Sequence, residues 1–440
     1  MTDIIISFDT EDITSSRAAD AIRDEAKLLQ RLGIRGCFCI VGLLAKHLKE
    51  WGREDVISSL SSHEINFHTY AHSVHPTIDE YTDIADFKAA KDEVIRQETV
   101  GVQYVKDVFG VDRVFSACPP GNSNTYVAMY AYEEMGIPIY AGTYCDTMQG
   151  DGVFYCNTYH LRYTYPIEKL CFNYTKEAED ELIESFAKCK RVIFYTHPNI
   201  AIMSRFWDRV NYAGRNINEF GKWEYPPERD PEVIADFFKN MERVLRRIKE
   251  DGRFRFTTYG EIAGELEARP ERVIKRSDIP NILASLKKEL YPIGEFSLYD
   301  LFMAAKAFAE GESEYICRRS YGLLDDPYEL KRTIKLKSEE VLSAVKRLKY
   351  GEFLPEKFAI GDTLSGPADI LIAAYEALSG AEEIVIEPKP QLPSLDALPE
   401  VKKCSLKGTW LHSDEFEDKF LSRRLRLQSY TMRFNHKETK

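Results

Sequence analysis

From residue 3 to about residue 257 the chain repeats one pattern: a short apolar run, a helix-length stretch with one apolar face, then another apolar run. Strands buried on both faces read as continuous apolar runs, and two parallel strands need a crossover long enough to hold a helix. Residues 4–8, 36–41, 64–67, 114–117, 138–142, 191–196 and 254–257 are the strands of this series. Between them, Ala18, Ile22, Ala26, Leu29 and Leu32 recur at helical spacing before a Gly33 stop, and residues 84–109, 124–135 and 231–250 also read as helical. Such alternation folds into a parallel α/β sheet, doubly wound or closed as a barrel.

Beyond about residue 270 the strand pattern gives way to helical patterns. With 440 residues to place, two domains are expected, 1–270 as the α/β unit and 271–440 as a smaller, mainly helical one. Within the second, residues 297–311 resemble residues 366–380: Asp300 corresponds to Asp369, and the Ala-Ala pair at 304 to that at 373. This is either a duplicated helical unit or two amphipathic helices with alanine at packing positions. The repeated helices faintly resemble cell-envelope binding repeats, while helix packing or self-association into a homo-oligomer is the more economical use. Residues 388–399 hold four prolines and read as a loop or linker.

Composition narrows the partners. A net charge of −12 argues against nucleic acid, which needs a clustered basic face. No run of about 18 apolar residues occurs, so no membrane span is expected. The first residues carry no basic stretch followed by an apolar one, and nine scattered cysteines fit reduced thiols, so a cytoplasmic location is the expectation.

Chemistry-bearing residues collect after the strands. The first strand ends in Asp9, Glu11 and Asp12, and the third is followed by His68 and His72. Histidines four apart on a helical turn point the same way and can reach one metal ion. Two imidazoles and one carboxylate leave a coordination position open, as hydrolysis requires. His197 follows the strand at 191–196 and is a candidate general acid. Taken singly, the carboxylates could cap a helix and His197 could be a solvated loop residue. Their order, each after a parallel strand, favours a site.

That order resembles the polysaccharide deacetylase family, carbohydrate esterase family four, over about residues 3–265. Ser7-Phe-Asp-Thr-Glu-Asp12 is similar to the family's opening aspartate motif, and Leu32-Gly-Ile-Arg-Gly-Cys-Phe38 to its second strand. Ser62-His-Glu-Ile-Asn-Phe-His-Thr-Tyr-Ala-His72 resembles its metal motif, and Ile193-Phe-Tyr-Thr-His197 its late catalytic motif. The resemblance implies a distorted (β/α)7 barrel and a divalent metal, usually zinc, held by His68, His72 and a carboxylate. Asp9 would be the general base and His197 the acid that protonates the leaving amine.

Three departures accompany it. Thr10 stands where a second aspartate commonly follows the first, so the metal carboxylate is Asp12, with Glu11 as the alternative. The segment Phe115-Ser-Ala-Cys-Pro-Pro-Gly121 places Ala117 where the family has an arginine, for which Arg162 is a candidate replacement. Asp146 stands near the fourth motif, with helix capping as its other role. In the long segment 199–227, Trp207 and Trp223 are candidates to stack on a sugar ring, or to pack the loop onto the barrel. The expected activity is removal of an acetyl group from an N-acetylated sugar or glycan precursor. Hydrolysis of a small non-sugar amide, or a carbohydrate-binding scaffold on a decayed barrel, are the alternatives.

Overall fold

The computed structural model describes residues 1–122, 125–142, 152–212, 222–394, 411–412 and 416–435. Over these residues the chain divides into two compact units. One takes in Met1–Asp151, His160–Ala268 and Lys402–Leu421, the other Gly152–Tyr159, Arg269–Val401 and Ser422–Lys440. The step at Ala268/Arg269 lies beside the boundary read near residue 270, but neither unit is one continuous stretch. The exchange has a visible cause in part: the backbone N–H groups of Lys419 and Phe420 donate to Asp83, each at 2.8 Å, within the first unit.

The first unit begins with β1 (Thr2–Thr10), α1 (Ala19–Leu32), β2 (Cys37–Ile40), α2 (Gly42–Glu50), α3 (Glu54–Ser59) and β3 (Glu64–Phe67). α1 stops at Gly33, whose φ of 62° is the left-handed turn-off that glycine adopts without strain. Next come α4 (Ile78–Thr82), α5 (Phe87–Phe109), β4 (Ser116–Ala117), α6 (Tyr126–Glu134) and β5 (Ile139–Gly142). After β6 (Val153–Tyr155), which belongs to the second unit, come β7 (Thr158–Arg162), which enters the first unit at His160, then β8 (Tyr165–Pro166), α7 (Ile167–Phe172), α8 (Lys176–Phe186) and β9 (Arg191–Thr196). The unit ends with α9 (Pro198–Ile202), α10 (Trp207–Asn211), α11 (Pro231–Glu250), β10 (Phe254–Phe256) and α12 (Tyr259–Glu267).

The strand order is β7-β5-β4-β3-β2-β1-β9-β8, with β10 also on β1. Pairings from β5 through to β8 are parallel. The segment that carries β7 and β8 joins the two ends: Tyr163 N–H donates to Gly142 O of β5 (2.6 Å) and Thr164 N–H to Ile193 O of β9 (2.9 Å). The result is the distorted (β/α)7 barrel. β1 lies at its centre: Ser7–Thr10 pair with β2, Asp3–Phe8 with β9, and Thr2–Ile4 with β10.

In the second unit, β11 (Val273–Lys275), α13 (Ile279–Lys288), α14 (Leu298–Ala309) and β12 (Glu314–Ile316) form a strand-helix-helix-strand unit whose strands pair antiparallel. β13 (Ile334–Lys337), α15 (Ser338–Lys346), the hairpin β14 (Phe358–Ile360) and β15 (Thr363–Ser365), α16 (Pro367–Leu378) and β16 (Glu383–Ile386) repeat that order. The aspartates read as equivalent do the same work: Asp300 accepts Ser297 N–H (2.9 Å) and Asp369 accepts Gly366 N–H (3.3 Å), each closing a helix start. The two halves thus share an element order and a helix-start aspartate, and both contain short strands beside the helices read for 271–440. β17 (Arg433–Phe434) pairs antiparallel with β6. Among the described residues no helix is long and apolar enough to cross a membrane.

Candidate active site

The C-terminal ends of β1, β3 and β9 converge on one buried site. Along β1 side chains alternate, so Ser7, Asp9 and Glu11 share a face and Asp12 does not. Glu11 Oε2 lies 3.0 Å from His72 Nε2 and 3.8 Å from His68 Nε2, and all three residues are buried. Asp12 turns away: its Oδ1 accepts Thr14 N–H (2.9 Å), the Thr14 hydroxyl (2.7 Å) and Ser15 N–H (3.2 Å). Burial, then the neighbouring Glu11 charge, outweigh those bonds and push its carboxyl up to about 6. Of the two candidate carboxylates the structure thus brings Glu11, the alternative, and not Asp12 to the imidazoles, for the geometric reason that only Glu11 has the parity of Asp9.

His68 and His72 do not sit on a helical turn. The segment between them is irregular, with φ of 62° at Thr69 and 54° at His72, and His72 N–H donates to Thr69 Oγ1 at 3.1 Å. Non-glycine residues in this region cost of order 1–3 kcal/mol each and persist only where the surroundings enforce them. Here Thr69 O and Tyr70 O accept Gly42 and Leu43 N–H at the start of α2 (3.0 and 2.9 Å), and Tyr70 N–H donates to buried Glu98 (3.1 Å). Gly101 of α5 allows this approach, since a Cβ there would stand 2.8 Å from Tyr70 Cα. The two imidazole centroids end up 5.0 Å apart. His63 is structural, its ring bridging Gly36 N–H (3.2 Å) and Ala26 O (3.0 Å).

The donor set fits a cation. Ser73 Oγ donates to Asp208 Oδ2 (2.9 Å), so at 2.9 Å from His72 Nδ1 it accepts the ring N–H. That tautomer turns a lone pair on Nε2 toward the Glu11 carboxylate, an arrangement that needs a positive charge between them. A proton serves poorly, because burial lowers the His72 pKa despite Glu11. Both ring nitrogens of His68 and Glu11 Oε1 are buried without a hydrogen bond. Leaving such groups unsatisfied costs about 1–3 kcal/mol each, and a divalent ion on these three residues would engage one His68 nitrogen and the Glu11 carboxylate. Burial alone would raise the Glu11 carboxyl, but His72 and His68 together hold it well below the usual range. Asp208, invisible in the sequence pattern, is buried and its carboxyl is pushed well up by burial and by Glu11.

Two further titratable side chains, Asp9 and His197, flank this cluster. Asp9 Oδ1 accepts the Tyr163 hydroxyl (2.7 Å), which lies 3.2 Å from Ser7 Oγ, and Ser7 in turn accepts from Tyr259 (3.1 Å). Tyr163, not the neighbouring Arg162, therefore orients the carboxylate. Ala117 is buried in β4, and the residue after it, Cys118, is the one grouped with Asp9 and Cys39. His197 Nε2 lies 3.9 Å from Asp9 Oδ2. On its other side Glu168 of α7 meets His197 Nδ1 (3.1 Å) and accepts its backbone N–H (2.8 Å) and the Thr196 hydroxyl (3.1 Å). Burial opposes the imidazolium, but Glu168, with Glu11 and Asp9 behind it, raises the His197 pKa to about 10. Glu168 and Tyr163 lie in the segment 158–172, where no spacing marks them; the pairing of β8 beside β9 brings that segment to the site.

Trp207 is fully buried, its ring centroid 6.1 Å from that of His72 and 5.2 Å from that of Trp223. With no face left open it packs the loop and offers no sugar platform, which corrects its assignment. Trp223 is half-buried. Asp146 lies outside the described residues.

No family model and no curated protein matches the sequence. Among solved structures the chain is similar to a Mycobacterium smegmatis protein assigned as a polysaccharide deacetylase, at 14% identity over 62% of this chain and 95% of that one, TM-score 0.40. It is also similar to the 4-alpha-glucanotransferase of Thermococcus litoralis (13% identity, 62% of this chain and 41% of that chain, TM-score 0.43). A third similar structure is a CE4 family pseudoenzyme from Bacillus anthracis (9% identity, 59% and 64%, TM-score 0.34). These figures are low, and the chemistry is read from the side chains themselves.

Proposed function

We propose that this chain is a metal-dependent hydrolase that removes an acetyl group from an N-acetylated sugar or glycan precursor. Glu11, His68 and His72 would hold the ion, zinc being the best match to two imidazoles and a carboxylate. A divalent ion there would acidify water and polarise the acyl carbonyl. Asp9, oriented by Tyr163, takes a proton from the attacking water. His197, kept cationic by Glu168, delivers one to the leaving nitrogen. The observation that carries the reading is the pairing of a three-ligand cluster with two separate proton carriers, His197 Nε2 and Asp9 Oδ2, 3.9 Å apart.

The acetyl-sugar substrate is supported by the likeness of the aspartate and histidine motifs to those of polysaccharide deacetylases. Acetate release from a panel of N-acetylated sugars, with zinc-loaded and chelator-stripped protein compared, tests it. Release only by the loaded protein is expected. Fully loaded protein that frees no acetate from any of them would end the deacetylase reading.

A further inference from the structure

Beside the first cluster lies a second convergence that the hydrolytic scheme leaves unused. Asp9 on β1, Cys39 on β2 and Cys118 just after β4 bring a carboxylate oxygen and two sulfurs within 4.8 Å of one another, all buried. The sulfurs are 3.1 Å apart, and Cys39 Sγ is also 3.6 Å from Ser7 Oγ. Asp9 Oδ1 accepts from Tyr163, while Oδ2 lies 3.9 Å from His197 Nε2, beyond hydrogen-bond distance. We infer that Asp9, Cys39 and Cys118 form a second metal site, selective for a thiophilic divalent cation such as Zn2+ or Cd2+.

Donor type and geometry carry this. A carboxylate and two thiolates give three protein ligands, with one tetrahedral position left for water. Zinc–sulfur bonds of about 2.3 Å put two sulfurs on one tetrahedral ion about 3.8 Å apart. From 3.1 Å that is an opening of about 0.7 Å, within side-chain adjustment. A disulfide would instead need a closure of about 1 Å, to about 2.05 Å. Burial, and then Cys118, hold the Cys39 thiol well above its ordinary pKa, so without an ion it stays protonated and slow toward oxidants. On binding, each thiol releases its proton to solvent and each sulfur donates an electron pair to the cation; nothing is oxidised or reduced. Because the ion takes Asp9, occupancy removes the base, so the site would be inhibitory; that consequence, not the binding, rests on the proposed hydrolytic reading.

The test is Cd2+ titration of the full-length, metal-stripped and reduced protein, following thiolate-to-cadmium charge-transfer absorption. The His68→Ala variant, with its first site disabled, should still develop the band and bind one equivalent. Cys39→Ser and Cys118→Ser should each lose the band and weaken that equivalent at least tenfold; Asp9→Asn should weaken it while keeping both thiols, a check should a serine variant not fold. An absent band, a band indifferent to both serine variants, or a mass about two units low from a closed disulfide would each overturn the site. With any deacetylated substrate in hand, a second equivalent of Zn2+ should stop turnover in wild type. Should no substrate turn over, the band still decides the site, so the two readings fail separately.

Discussion

Replacing Glu168 with Gln isolates the charge that keeps His197 an acid. Glutamine can still accept the backbone N–H of His197, so the local geometry is retained while the carboxylate charge goes. At 3.1 Å and an effective dielectric of about 20, the pair is worth about 5 kcal/mol, which solvent at a 19% exposed side chain reduces to about 3 kcal/mol. That equals about two pH units. On the proposed reading a protonated His197 is the active form, so activity should fall as pH rises through its pKa, about 10 in the wild type. In Glu168→Gln the fall should come about two units earlier. Turnover should then be within about twofold of wild type at neutral pH and about tenfold lower one unit above the variant's pKa. A divalent ion on Glu11 offsets that residue's share in both proteins, so the difference between the two profiles is the quantity to read. The assay is kcat/KM against pH, with the His197 ring followed by NMR titration as a second readout. An alkaline limb that stays put while turnover drops uniformly would refute the argument, since the loss would then be structural.

Elemental analysis should find about one divalent ion fewer per chain in His68→Ala and Glu11→Gln, and no change in Asp12→Asn; loss in the last would reinstate Asp12 as ligand. Asp9→Asn and His197→Ala should each lower turnover by roughly 10² or more, with the metal of the first cluster retained in His197→Ala. Tyr163→Phe should cost about tenfold in kcat with KM little changed, and a KM effect alone would assign Tyr163 to binding. Trp207→Ala should destabilise the fold by about 3–5 kcal/mol in urea denaturation, as expected for a fully buried indole, and a near-neutral result would contradict its packing role.

Asp9, His68, His72 and His197 were legible because each follows a strand of a parallel series, and parallel sheets deliver residues at those ends. Glu11 was legible too, had the period of two been carried past the end of β1. What favoured Asp12 was the wider spacing borrowed from resemblance, and its capping of Thr14 and Ser15 depends on a turn that no pattern announces. A four-residue spacing suggested a helical turn at His68–His72, where the chain instead uses two left-handed residues held by α2 and Glu98. Cys118 escaped notice because alignment to an arginine drew attention to its neighbour Ala117. Glu168 and Asp208 act across long sequence separations, which only the closed sheet brings together. For Trp207 the sequence leaves stacking and packing open, because an aromatic in a long loop looks the same whether it faces a ligand or the core, and burial selects packing.

The triple pairing of β1 bears on how the site behaves without its ion. Every residue from Ile4 to Phe8 is buried; β9 pairs along the whole segment, and on the other edge β10 pairs at Ile4 and β2 at Ser7 and Phe8. Its amides should exchange with solvent only through global unfolding, placing it at the slowest end of the protection scale. The carboxylates at its end are then rooted in the most protected part of the barrel. Chelation should therefore leave exchange along β1 unchanged and loosen only the loop from His68 to Pro76, so that ions can be swapped in and out of a folded chain.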